Sequence, residues 1–112
     1  MATVEVNMNT CDKKHRITVK MRDDGDLDVI IESNCKNVQQ YAKNLTRITM
    51  EDATDFCSSK IVDRDVRMPL SVPCLVPIGV FDAAWLELGM LSKTLCKRIH
   101  SNEVVLDLDD ES

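Results

Sequence analysis

Residues 72 to 91 read V-P-C-L-V-P-I-G-V-F-D-A-A-W-L-E-L-G-M-L. Only Asp82 and Glu87 carry charge in this stretch, and it holds the single tryptophan, Trp85, and one of two phenylalanines, Phe81. A segment this apolar must be covered on most of its surface. Its length and two carboxylates, with prolines at one end, fit a buried core helix rather than a membrane span, which needs about 20 apolar residues with few or no charges. The expected helix runs from about 76 to 90, with Cys74 at its mouth.

The preceding chain supplies what this helix can rest on. Val4, Val6 and Met8 alternate with Thr3, Glu5 and Asn7, and Ile17, Val19 and Met21 alternate with Arg16, Thr18 and Lys20. Leu27, Val29 and Ile31 repeat the period. Each run predicts a half-buried strand. The turns between them are marked by Thr10-Cys11-Asp12-Lys13 and by Asp23-Asp24-Gly25-Asp26, where Gly25 can take positive φ. Three strands on short turns predict an antiparallel meander with one apolar face to cover.

Helices follow. Ser33 or Asn34 can cap the first, and Val38, Tyr41, Leu45 and Ile48 form one helical stripe. Thr49, with Glu51 and Asp52 behind it, starts a second whose apolar side is Met50, Ala53, Phe56 and Cys57. Residues 58 to 72 have no clear period and read as a long loop of functional or mobile character. Residues 94 to 99 and 103 to 108 both read as strands, and at least one is expected to extend the sheet. The fold class is therefore α+β: one domain over 1–112, an antiparallel sheet of three to five strands with helices covering one face.

The charge is −5, and Asp107, Asp109, Asp110 and Glu111 supply much of it. The tail from about 107 to 112 is expected to be frayed. An acidic balance argues against nucleic acid as a partner. No secretory signal opens the chain, so the expected location is the cytoplasm, where thiols stay reduced.

Five cysteines is a high count for a chain of 112 residues in such a compartment. Their spacings, 23, 21 and 16 residues between Cys11, Cys35, Cys57 and Cys74, match no zinc-finger or ferredoxin pattern. Topology is more informative. An up-down-up meander puts Cys11 and Cys35 at the same end of the sheet. A descending helix followed by a climbing one returns Cys57 there, and the long loop delivers Cys74. Cys96 falls elsewhere. Cys35 and Cys74 also lie near helix starts, where exposed N–H groups favour thiolate.

Three readings of this pole stand side by side. In the first, Cys11, Cys35, Cys57 and Cys74 hold a zinc ion or an iron–sulfur cluster in a redox or metal-handling role. In the second, Cys74 or Cys35 is a redox nucleophile with another thiol resolving it, although no base partner or catalytic motif is recognisable. In the third, the cysteines simply fill space as small apolar residues, and residues 58 to 72 or a sheet edge meet a protein partner. His15 and His100 read as solvated surface histidines. Asp82 reads as a helix-dipole carboxylate or as an acid lining the pole. No phosphate loop, dinucleotide fingerprint, H-E-x-x-H or G-x-S-x-G is present.

Cys11 after V-E-V-N-M, Cys35 after L-D-V-I-I-E-S-N, Cys57, and Cys74 in P-C-L-V-P before a long apolar helix together form a pattern. It resembles an uncharacterised family of small cysteine-containing proteins from methanogenic archaea and anaerobic bacteria. The resemblance covers the chain to about residue 99. It implies an anaerobe's cytoplasm and four cysteines retained as a set, with no established activity to carry over.

Overall fold

The computed structural model describes residues 1–108. Four strands form one antiparallel sheet in the order β1-β2-β3-β4: β1 Ala2–Met8, β2 Lys13–Met21, β3 Leu27–Ser33 and β4 Arg47–Ile48. The meander follows the alternation of its residues. Val6, Ile17, Val19, Leu27 and Val29 are buried on one face, and Glu5, Arg16 and Ile30 are exposed. Gly25 sits at φ +91° in the turn between β2 and β3, a conformation costly for any residue with a Cβ.

The same face of the sheet is covered by helices. The first, α1 (Lys36–Asn44), packs on β3, and Val38 and Tyr41 point inward. The predicted stripe is correct as a list of buried residues but not as one helix. Leu45 is the C-cap, and Ile48 belongs to β4, where it pairs with Leu27. The fourth strand therefore comes from residues 47 and 48 rather than from the C-terminal part of the chain.

Thr49 does start a helix, α2 (Met50–Thr54). It is held by a reciprocal cap in which Thr49 Oγ1 accepts the Asp52 N–H and the Asp52 carboxylate accepts the Thr49 N–H. It stops at Thr54, three residues short of Cys57. Residues 58 to 72 are not a bare loop: they form a 3₁₀ turn at Lys60–Val62 and a short helix, α3 (Arg64–Arg67). The buried Tyr41 hydroxyl donates to the Ile61 carbonyl at 2.7 Å and anchors the 3₁₀ turn to α1.

The apolar stretch forms α4 (Val76–Glu87), with Pro77 in its first turn. Val76, Gly79, Val80, Ala83 and Ala84 rest on β1 and β2. Its other side is only partly covered: Phe56 stacks on Phe81 with ring centroids 5.5 Å apart, and the Trp85 indole N–H donates to the Ala53 carbonyl at 2.7 Å. Among the described residues no helix is long and apolar enough to cross a membrane.

The two strands expected near the C-terminus are absent from the described residues. Residues 93 to 99 are helical instead, α5 (Lys93–Ile99), because Ser92 caps them by accepting the Leu95 N–H. His100 ends the helix at φ +73°. Residues 101 to 108 have no regular structure and are exposed. The acidic tail expected to fray lies mostly beyond residue 108, outside the described residues.

Candidate thiol pole

Cys11, Cys35 and Cys74 come to one end of the molecule because three chain reversals occur there. Cys11 lies in the β1–β2 turn, where its N–H donates to the Met8 carbonyl at 3.2 Å. Cys35 is the N-cap residue of α1 and has no side-chain cap bond of its own. Cys74 lies just ahead of α4, two residues before Val76 and next to the N-cap Leu75. Met8 joins two of these corners: its sulfur accepts the Leu75 N–H at 3.4 Å. Cys35 and Cys74 are half-buried against the core, and Cys11 is exposed.

Cys74 feels its surroundings electrostatically. Burial pushes the Cys74 thiol above its ordinary pKa. The Val76 backbone N–H opposes this, negative charge on Cys35 and Cys11 pushes it further up, and the Arg67 guanidinium pulls it back. Arg67 also donates to the Ser71 carbonyl at 3.2 Å and so braces the approach to Cys74. The N–H at the helix start does favour thiolate at Cys74, as expected, but burial outweighs it and the net shift is upward.

Cys57 is placed differently. The helix meant to carry it ends at Thr54. Its neighbour Phe56 is held against Phe81, more than one turn beyond the start of α4, and Cys57 itself is exposed. Cys96 is on α5, which follows the far end of α4, where Glu87 meets the Met1 amine and the Met21 N–H. All five cysteines are free thiols. Among the described residues, no group of three or more His, Cys, Asp or Glu side chains is spaced to hold a metal ion as the chain stands. The pole is a set of neighbouring soft donors rather than a closed ligand shell.

His15 departs from expectation. It is buried at 3 % exposure, and its Nδ1 lies 2.7 Å from Ser33 Oγ. Its position shares the parity of Ile17 and Val19 along β2, which is the signal that places it on the inner face. Asp82 lies beyond the first turn of α4, where the helix dipole has faded, and burial pushes its carboxyl above the usual range. His100 is exposed, as expected.

The comparisons with known proteins give a family. Residues 2–99 match a family of unknown function, DUF6951. The chain belongs to this family. The match spans every strand and helix described above and ends where α5 ends. No curated protein and no solved structure matches the chain.

Proposed function

We propose that this is a small metal-handling domain whose pole of cysteines takes up a thiophilic ion, zinc or the iron of an iron–sulfur cluster. Cys11, Cys35 and Cys74 are the principal ligands, with Cys57 as the fourth thiolate. The convergence of Cys11 and Cys35 on Cys74, across the corner that Met8 and Leu75 join, is the observation that carries this reading. A half-buried thiol held protonated, as at Cys74, is a poor nucleophile, but a bound cation displaces the proton and offsets the charge of the neighbouring sulfurs. A bound ion would supply either a structural crosslink or, as a cluster, one-electron chemistry.

Closing the shell requires movement, and the chain has the means. Cys11 is in an exposed turn, and Cys57 is in an exposed connection outside any helix. Cys35 and Cys74 are held against the core and would form the fixed half of the site. Anaerobic purification followed by metal analysis and an absorption spectrum tests the proposal. Stoichiometric zinc, or visible charge-transfer bands from iron, supports it. A reduced protein that takes up neither zinc nor iron overturns it.

A second reading has its own observation. The outer side of α4, the adjoining α2 and the turn after it expose Ile78, Trp85, Met50 and Phe56, with Phe56 at 59 % exposure. An apolar strip of this kind suits a protein partner. Under that reading Cys35 and Cys74 only pack against the core, and the protein would be found metal-free.

A further inference from the structure

We infer that His15 and Ser33 are positioning residues for the thiol of Cys35. The β2–β3 register sets His15 directly opposite Ser33. His15 Nδ1 and Ser33 Oγ are 2.7 Å apart, and the same Oγ accepts the Cys35 backbone N–H at 2.9 Å. Gln39 clamps the other side of Ser33 by donating from Nε2 to its carbonyl at 2.8 Å. The Cys35 carbonyl in turn accepts the Gln39 N–H at 2.9 Å, the first hydrogen bond of α1. The backbone at Cys35 is thus fixed from both directions.

The identity of residue 15 makes this more than ordinary packing. Beyond His15 the inner face of β2 is apolar, with Ile17 and Val19 fully buried. An aliphatic residue at 15 would continue that face without burying a polar ring. A buried imidazole costs desolvation and persists where its hydrogen bond has a task. Here the bond holds the Ser33 hydroxyl, and the hydroxyl takes the N–H of the N-cap residue Cys35 itself, whose own side chain makes no cap bond. The Cys35 sulfur is left without a capping role and is available to the pole. The link parallels the outer-shell hydrogen bonds that orient metal ligands, whose loss typically costs about 10- to 100-fold in affinity. In that last respect it rests on the metal-handling reading.

The test is site-resolved alkylation of the metal-free, reduced full chain, read by peptide mass spectrometry. The Cys35 rate is divided by the Cys96 rate, which normalises for reagent and reaction time, and the Val19→Ala control accounts for global destabilisation. Ser33→Ala and His15→Leu should each raise the ratio about threefold or more. His15→Asn, whose amide can reach the Ser33 hydroxyl, should restore it. Val19→Ala, which loosens the same strand without touching the link, should leave it unchanged. Equal ratios in wild type, Ser33→Ala and His15→Leu would overturn the inference, as would a rise in Val19→Ala matching theirs. The ratio needs no metal, so a protein that binds none removes the proposed function while the positioning claim is still decided. If zinc does bind, Ser33→Ala should weaken it about tenfold or more.

Discussion

Gly79 of α4 lies so close to Val6 of β1 that a Cβ at residue 79 would come within 2.5 Å of Val6 Cγ2 and 2.8 Å of Ile17 Cδ1. The absence of a side chain there lets α4 settle onto the sheet, and the settling brings Cys74 level with the β1–β2 turn. Gly79→Ala gains helix propensity of about 1 kcal/mol but overpacks the contact at a cost of about 1–3 kcal/mol. The expected result is a net loss of stability in urea unfolding. An unchanged or higher midpoint would show that the helix can lift away freely.

His15 gives a pH dependence with a defined sign. Burial, and then the charge of Lys13, hold its folded-state pKa below the ordinary value of 6.5. Between the two values the unfolded chain binds more protons than the folded one. Stability from this group is complete above about pH 6.5 and falls as the pH drops below it, by at most about 1.4 kcal/mol per pH unit. Urea midpoints at pH 7.5 and 5.5 should differ in that direction for wild type, and by less for His15→Asn. Equal differences for both proteins would remove the histidine from the account.

Trp85 pins α2 through its indole N–H on the Ala53 carbonyl. Trp85→Phe removes the donor and leaves the ring, at an expected cost of about 0.5–1.5 kcal/mol. The effect should be local. Amide exchange should quicken across Met50–Thr54 while the β1–β2 ladder keeps its protection. Uniform quickening would mean that the contact supports the whole core.

The sheet and the central helix were legible because period-2 alternation and an uncharged apolar run are strong local signals. Val6, Ile17, Val19 and Leu27 all fall where their parity puts them. What failed was arbitration between weak signals. T-L-C-K-R-I has a strand's composition, but Ser92 caps it into α5. The C-terminal V-V-L-D-L alternates without pairing to any strand, and alternation alone supplies no ladder. Ile48 kept the helical spacing of Val38 and Tyr41 yet became the fourth strand, because Leu27 offered a pairing partner. At the pole, topology was enough to place Cys11, Cys35 and Cys74. The position of Cys57 depended on a helix end, and no residue before Thr54 marks that end. His15 was misread from its basic neighbours when the parity of its own strand placed it inside.

The central claim is that Cys11, Cys35 and Cys74 act as one soft-metal site, and a cadmium titration of reduced protein under anaerobic conditions tests it most directly. Cadmium stands in for zinc, and thiolate-to-metal charge-transfer absorbance reports sulfur ligation. Wild type and Cys96→Ser should each saturate at one ion per chain. Cys74→Ser should lose the band or bind at least about tenfold more weakly, with its far-ultraviolet dichroism unchanged. A wild-type protein without the band, or a Cys74→Ser protein that titrates like Cys96→Ser, would contradict the account.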